Sequence, residues 1–351
     1  MTGTGSTAVV DHLADVVAAG RGRRLARRRV TLAILLAVTV AVFALTLMLG
    51  QSFTPPGEVL RVLMGEEVPG ASFTVGRLRL PRASLAVVAG LSFGLAGAAF
   101  QTMLRNTLAS PDIIGISYSA SAAAAVGIVF FSLSGTAVAG VSIVVSLGVA
   151  LLIYVLSFKG GVSGTRLILV GIGIAAMLQS VIAYTLDRAA EWNLQEAMRW
   201  LSGSVNGATW ERMLPLLLAL PIFGAILLTR SRDLEALRMG DDVAASLGVR
   251  VTVTRLVVLV TATVLVAFAT AAAGPISFVA FLAGPIATRI VGKGGSMLVP
   301  AALCGALLVL IADYIGQFLL PTRYPVGVIT GALGAPFLIY LIIRANRHGG
   351  T

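Results

Sequence analysis

Long stretches with almost no charge constrain this chain more than any other feature. We mark ten of them: 31–50, 83–104, 113–132, 136–157, 167–187, 213–230, 255–273, 276–291, 298–319 and 326–344. An apolar helix of about 20 residues matches the ~30 Å hydrocarbon core of a bilayer, so each run reads as a transmembrane span. A content of 57% hydrophobic and 12% charged residues fits no soluble domain of 351 residues. The expected fold is an all-α polytopic membrane protein with about ten transmembrane helices. Its parts are a basic N-terminal tail, 1–30, and a ten-span domain, 31–347. The eighth run is short and interrupted at Gly284–Pro285. A break of that kind survives in a membrane only where protein buries it or a cavity receives it.

The first run follows the arginine-rich stretch "RGRRLARRR". At about twenty residues it exceeds the roughly 7–15 residues of a signal-peptide core, so it reads as a retained span. With the N-terminus inside, 18 of the 26 Lys and Arg fall on the cytoplasmic side. That bias places both termini in the cytoplasm. It also places 51–82 and 188–212 outside and the polar segment 230–255 inside. The basic residues gather at span ends, which favours a membrane over nucleic acid as the source of the +11 charge.

Several chemistries are missing. The lone cysteine, Cys304, sits in an apolar run, and His12 and His348 lie in the tails. No disulfide framework, metal site or haem site is expected. There is no G-x-x-x-x-G-K-[ST] loop to cradle phosphate, and no G-x-S-x-G or H-E-x-x-H motif. Asp313 is the main ionisable residue within a span. It reads as structural, satisfied by hydrogen bonds or an entering arginine, with a functional role as the alternative. The scarcity of intramembrane carboxylates argues against a proton-coupled carrier. The G-x-x-x-G patterns at Gly90–Gly94 and Gly327–Gly331 predict close helix packing, within or between subunits.

One polar island interrupts the apolar pattern: "RSRDLEALRMGDDVAASLGVRVTVTR", Arg230 to Arg255. Leu234, Leu237, Val243 and Leu247 recur at roughly helical spacing among charges of both signs. A solvated loop and a protein-docking surface explain it equally well on composition.

Within it, "GDDVAASLGV" (240–249) resembles the coupling-helix motif of permeases in ABC importers for iron–siderophore complexes and vitamin B12. "RLRLPR" (77–82), "GLAGAAFQTMLRNTLASPDIIGIS" (94–117), "AGPISFVAFLAGPIATRIVG" (273–292) and "PVGVITGALGAPFLIYLI" (325–342) match the same family in the same order. The resemblance implies a permease of the cytoplasmic membrane that works with a second permease subunit. Two cytosolic ATPase subunits carry ATP and magnesium, and an extracytoplasmic binding protein delivers substrate. This chain would hold no cofactor and catalyse no reaction. The implied coupling segment is 231–250, with Gly240, Asp241, Asp242, Ala244, Leu247 and Gly248 in contact with the ATPase. Arg79 and Arg82 match arginines that receive acidic residues of the binding protein. Asn106, Leu108, Gly164 and Thr165 match a cytoplasmic gate.

Departures from the family pattern touch mainly the outer face. The chain has "NTL" (106–108) for a usual "NPL", Ile286 for a histidine, and "RYPVG" (323–327) for "ELPVG". Gln317 stands where the family has a third docking arginine, and Arg323 is expected to compensate. These changes favour one half of a heterodimer over a homodimer. Ferric siderophore is the expected cargo, with cobalamin or haem as alternatives. An ion-coupled secondary transporter and a non-transporting membrane scaffold are the competing classes.

Overall fold

The computed structural model describes residues 4–112, 114–157, 164–292 and 294–348. Lys159 and Lys293 lie outside them, and the side chains of His12, Arg21, Arg344, Arg347 and His348 are also not described. The described residues form helices and connecting turns, with no strand among them.

In chain order the α-helices are α1 (Thr4–Met48), α2 (Pro56–Leu63), α3 (Leu80–Met103), α4 (Ile116–Phe131), α5 (Gly135–Ser157), α6 (Gly164–Asp187) and α7 (Glu191–Leu201). They continue with α8 (Trp210–Thr229), α9 (Ser231–Leu237), α10 (Asp241–Ser246), α11 (Val251–Ala273), α12 (Val279–Val291), α13 (Leu298–Tyr314) and α14 (Val326–His348). Two π-helical turns, Ser72–Arg79 and Ile315–Leu319, lead into α3 and out of α13. Seven helices are long and apolar enough to cross a membrane, and Ile116–Phe131, Val279–Val291 and Val326–Tyr340 are shorter apolar helices.

Several element ends differ from the sequence reading. The run expected to begin at 83 is continuous with the π turn, giving an apolar helix from Ser72 to Met103. The runs expected from 113 and 276 become helical only at Ile116 and Val279. Before α12 the backbone turns through Phe278 in the left-handed region, φ 65°. A 13-residue helix rises about 20 Å, less than the ~30 Å hydrocarbon core.

The interior is α3. Its span is 78% buried within the chain, against 17% for the spans of α1 and α6. It packs mainly on α13, α11 and α12. In lipid no hydrophobic effect draws two apolar helices together, so close backbone approach must do it. Gly90 and Gly94 supply it here. A Cβ on Gly90 would lie 2.5 Å from the Gly305 carbonyl oxygen of α13, and one on Gly94 would lie 2.2 Å from that of Ala301. The first G-x-x-x-G pattern therefore packs within the chain. In the second, Gly327 abuts the Ser202 carbonyl while nothing lies within 4 Å of a Cβ on Gly331.

The Gly284–Pro285 interruption has a specific solution. α12 continues through Pro285, whose missing N–H would leave the Phe281 carbonyl four residues back without a donor. Gln101 Nε2 of α3 donates to that carbonyl at 3.0 Å. Gly284 leaves room for the amide, since a Cβ there would fall 1.9 Å from Gln101 Oε1. Gln101→Leu should therefore lower stability by about 1–3 kcal/mol, the cost of an orphaned buried carbonyl. Thermal unfolding of the detergent-solubilised protein checks this, and an unchanged midpoint would contradict it.

Candidate functional site

The polar chemistry lies at the two ends of α3. At its first turn, Arg82 Nε and Nη2 donate to Asp313 Oδ2 and Oδ1 of α13, each at 2.7 Å. The third donor, Nη1, reaches Asn206 Oδ1 at 2.6 Å. The pair is largely buried, with side chains 19% and 13% exposed. Arg82 is thus the cation that Asp313 requires. Arg79 is also engaged. Its Nη1 donates to the Leu47 and Met48 carbonyls at 3.0 Å, and its Nη2 to that of Ser52 at 2.7 Å. Carbonyls at a helix C-terminus lack intrahelical donors and carry partial negative charge, so Arg79 caps α1.

Neither expected docking arginine presents a free guanidinium, whereas Arg323 and Arg77 are exposed. Arg323 and Gln317 line two adjoining cavities of about 320 and 350 Å³. Arg79, Arg82 and Asp313 border the first, and Glu196, Arg199 and Arg212 the second. Gln317 is buried. The structure brings Arg79, Arg82 and Arg323 to one cavity, but two of the three are held inward.

At the other end, α3 closes in a Schellman turn: Asn106 N donates to Gln101 O at 3.1 Å and Arg105 N to Thr102 O at 3.3 Å. Arg105 occupies the left-handed position, φ 51°, where glycine is usual and a side chain costs about 1–2 kcal/mol. Asn106 Oδ1 accepts from Leu108 N at 2.9 Å, which fixes the turn that follows. Asn106 is exposed and Leu108 half-buried. Gly164 opens α6, and Thr165 beside it is exposed. The nearby link leans on α6, where a Cβ on Gly171 would meet Ile114 Cγ2 at 2.7 Å. In the same link, Asp112 accepts hydrogen bonds from the Ser110 and Ser117 hydroxyls. Burial outweighs them and raises its carboxyl above the usual range.

The polar island folds into α9 and α10 beside this end. Its apolar residues divide by helix. Leu234 and Leu237 are buried and hold α9 against the bundle. Val243 is 44% exposed and Leu247 62%, and Met239, between the helices, is 59% exposed. Ala244 is buried, which seats α10 with Asp242 outward. Gly240 at φ 117° and Gly248 at φ 85° bracket α10, and both values suit glycine. Asp241 pairs with arginines of its own chain. Its Oδ1 meets Arg255 Nη2 of α11 at 2.9 Å and Arg105 Nη2 at 3.4 Å. Asp233 Oδ2 accepts from Thr254 Oγ1 at 3.2 Å, a second tie between island and α11. Sequence reasoning had no access to Arg105, Arg255 or Asn206, whose partners are remote along the chain. Asp313 gave the one usable signal, a carboxylate deep in a span that needs a cation.

Among the described residues no three His, Cys, Asp or Glu side chains gather as a metal site. The profile of the FecCD transport family matches residues 36–344. The chain belongs to that family.

FecCD proteins are transport permeases, and this one is a multi-pass protein of the inner membrane. It is 40% identical over 326 residues to the ferric enterobactin transport system permease protein FepG of Escherichia coli, covering 91% of this chain and 98% of FepG. It is 32% identical to the E. coli ferric enterobactin permease protein FepD, covering 90% of this chain and 95% of FepD. Its fold matches a metal-chelate type ABC transporter solved in an inward-facing conformation. The TM-score is 0.80 at 26% identity, over 89% of this chain and 98% of that one.

Proposed function

We propose that this chain is one permease subunit of an ATP-driven importer that moves ferric siderophore across the cytoplasmic membrane. The observation that carries the proposal is the α9–α10 surface. A firmly anchored helix pair presents Met239, Val243 and Leu247 to solvent, with Asp242 exposed beside them. Exposed apolar side chains rimmed by charge mark a protein-docking surface. The chain has no phosphate loop, so the fitting partner is a separate ATPase, with two copies serving a pair of permeases. The 40% identity to a ferric enterobactin permease supports siderophore as cargo over cobalamin or haem.

In this reading the seven long and three shorter apolar helices are ten spans, with both termini and α9–α10 in the cytoplasm. Residues 1–30 are the tail, although α1 already begins at Thr4. The Arg82 end then faces outward. There Arg323 and Arg77 meet carboxylates of the binding protein, while Arg79 and Arg82 hold the helix ends beneath them. Similarity to both FepG and FepD supports pairing with a non-identical permease. The direct experiment is radioiron uptake from a panel of siderophores in cells lacking the chain. Uptake of at least one ferric siderophore should vanish and return on complementation. Loss of cobalamin or haem uptake alone would reassign the cargo.

Asn106, Leu108, Gly164 and Thr165 form the cytoplasmic gate of this pair. Cysteines at Leu108 or Thr165 should crosslink across the two permease subunits, with a yield that changes with nucleotide. No crosslink in any state would place these residues away from the pathway.

A further inference from the structure

Asp241 lies on the docking helix but does not face outward with Asp242 and Leu247. It lies between two arginines of its own chain. We propose that Arg105, through Asp241, is a positioning residue that transmits movement of α10 to the turn 106–108. This inference rests on the reading of α9–α10 as the ATPase-docking surface.

Three observations carry it. The first is backbone chemistry. Arg105 fills the left-handed position of a Schellman turn, φ 51°, which glycine would fill without strain. An arginine in that position is explained by its side chain. The second is the contact that this side chain makes. Arg105 Nη2 reaches Asp241 Oδ1 at 3.4 Å, and the same oxygen holds Arg255 Nη2 at 2.9 Å. Asp241 therefore connects the first turn of α10 to the end of α3 and to the N-terminal part of α11. The third is adjacency. Arg105 immediately precedes Asn106, whose side chain fixes the turn by accepting from Leu108 N. A displacement of α10 carries Asp241 and, with it, the residue from which that turn starts.

Exposure separates this role from a stabilising one. Arg105 and Asp241 are 45% and 39% exposed, and ion pairs so open to solvent add little to stability. What such a pair supplies is a constraint on relative position. Arg255, 13% exposed, is the fixed side of the clamp, and Arg105 is the side joined to a loop.

The test uses the complete importer in proteoliposomes: both permeases, the ATPase subunits and the binding protein. Arg105→Gly removes the side chain and suits the backbone, and Arg105→Asn also tolerates φ above zero. Both should keep ATPase association and unfolding midpoint at wild-type levels. The ratio of substrate moved to ATP hydrolysed should fall about tenfold, within the usual range of coupling between sites. Arg105→Lys, which keeps a cation in reach, should recover much of the ratio. Asp241→Asn combined with Arg105→Gly should be no worse than the more severe single variant, because both break one contact. A wild-type ratio in Arg105→Gly and Arg105→Asn would overturn the proposal. Loss of the assembled complex in both would also overturn it, by making Arg105 structural. Leu247→Asp serves as control. If it leaves ATPase association intact, the docking surface itself is wrong. If it abolishes association while Arg105→Gly couples normally, only the clamp is wrong.

Discussion

Leu247→Asp should abolish association with the ATPase subunits and, with it, all ATP-driven uptake. Leu247 is 62% exposed at the end of α10, so a carboxylate there meets water in the isolated permease and costs the fold little. In the assembled importer the same side chain would be desolvated against an apolar cleft. Truncating a central interface residue costs about 2 kcal/mol or more, and a buried unpaired charge adds several-fold to that loss. Co-purification of tagged ATPase with the variant permease measures the effect. We expect no detectable ATPase on the variant, with normal membrane insertion. Asp242→Asn, at the rim, should slow association mainly at low salt. Asp241→Asn should leave association intact, because its carboxylate is engaged by Arg105 and Arg255 of the same chain. Retention of ATPase by Leu247→Asp would remove α10 from the interface.

The second large effect lies at the opposite end of α3. Arg82→Ala leaves Asp313 mostly buried with its cation and both hydrogen bonds gone. Removing one partner of a buried ion pair typically costs about 3–5 kcal/mol. It also frees Asn206, so the loop between α7 and α8 loses its tie to α3. The unfolding midpoint of the solubilised permease should fall sharply. The double variant Arg82→Ala, Asp313→Ala should recover much of that loss, because no charge is then stranded. Arg323→Glu should behave oppositely. It should leave the midpoint unchanged and slow binding-protein association at low salt. If Arg82→Ala keeps a wild-type midpoint and loses only binding-protein association, Arg82 is a docking residue after all.

These two arginines show what a linear reading reaches. The apolar runs located the bundle because span length and composition are local properties. The island's leucines were legible as a periodic face, but their division was not. Leu234 and Leu237 face the bundle while Leu247 faces solvent, and only the turn at Gly240 separates the two sets. "RLRLPR" lies in the segment expected outside, just before the run at 83, and nothing local shows what its arginines pair with. Asp313 pairs with one and the carbonyls at the end of α1 accept from another, and those partners lie 231 and 32 residues away. The start of α12 was misplaced because "ISF" (276–278) is as apolar as the helix after it. Only the backbone turn at Phe278 distinguishes them. Arg105 gave no signal, since its strained φ and its pairing with Asp241 exist only in three dimensions.

The most direct test of the account is accumulation of radioiron-labelled ferric siderophore in proteoliposomes that contain the permease pair, ATPases and binding protein. Ionophores collapse proton and sodium gradients throughout. Accumulation should require ATP and binding protein and be indifferent to the ionophores. Accumulation that persists without ATP, or that stops when the gradients collapse, would contradict it.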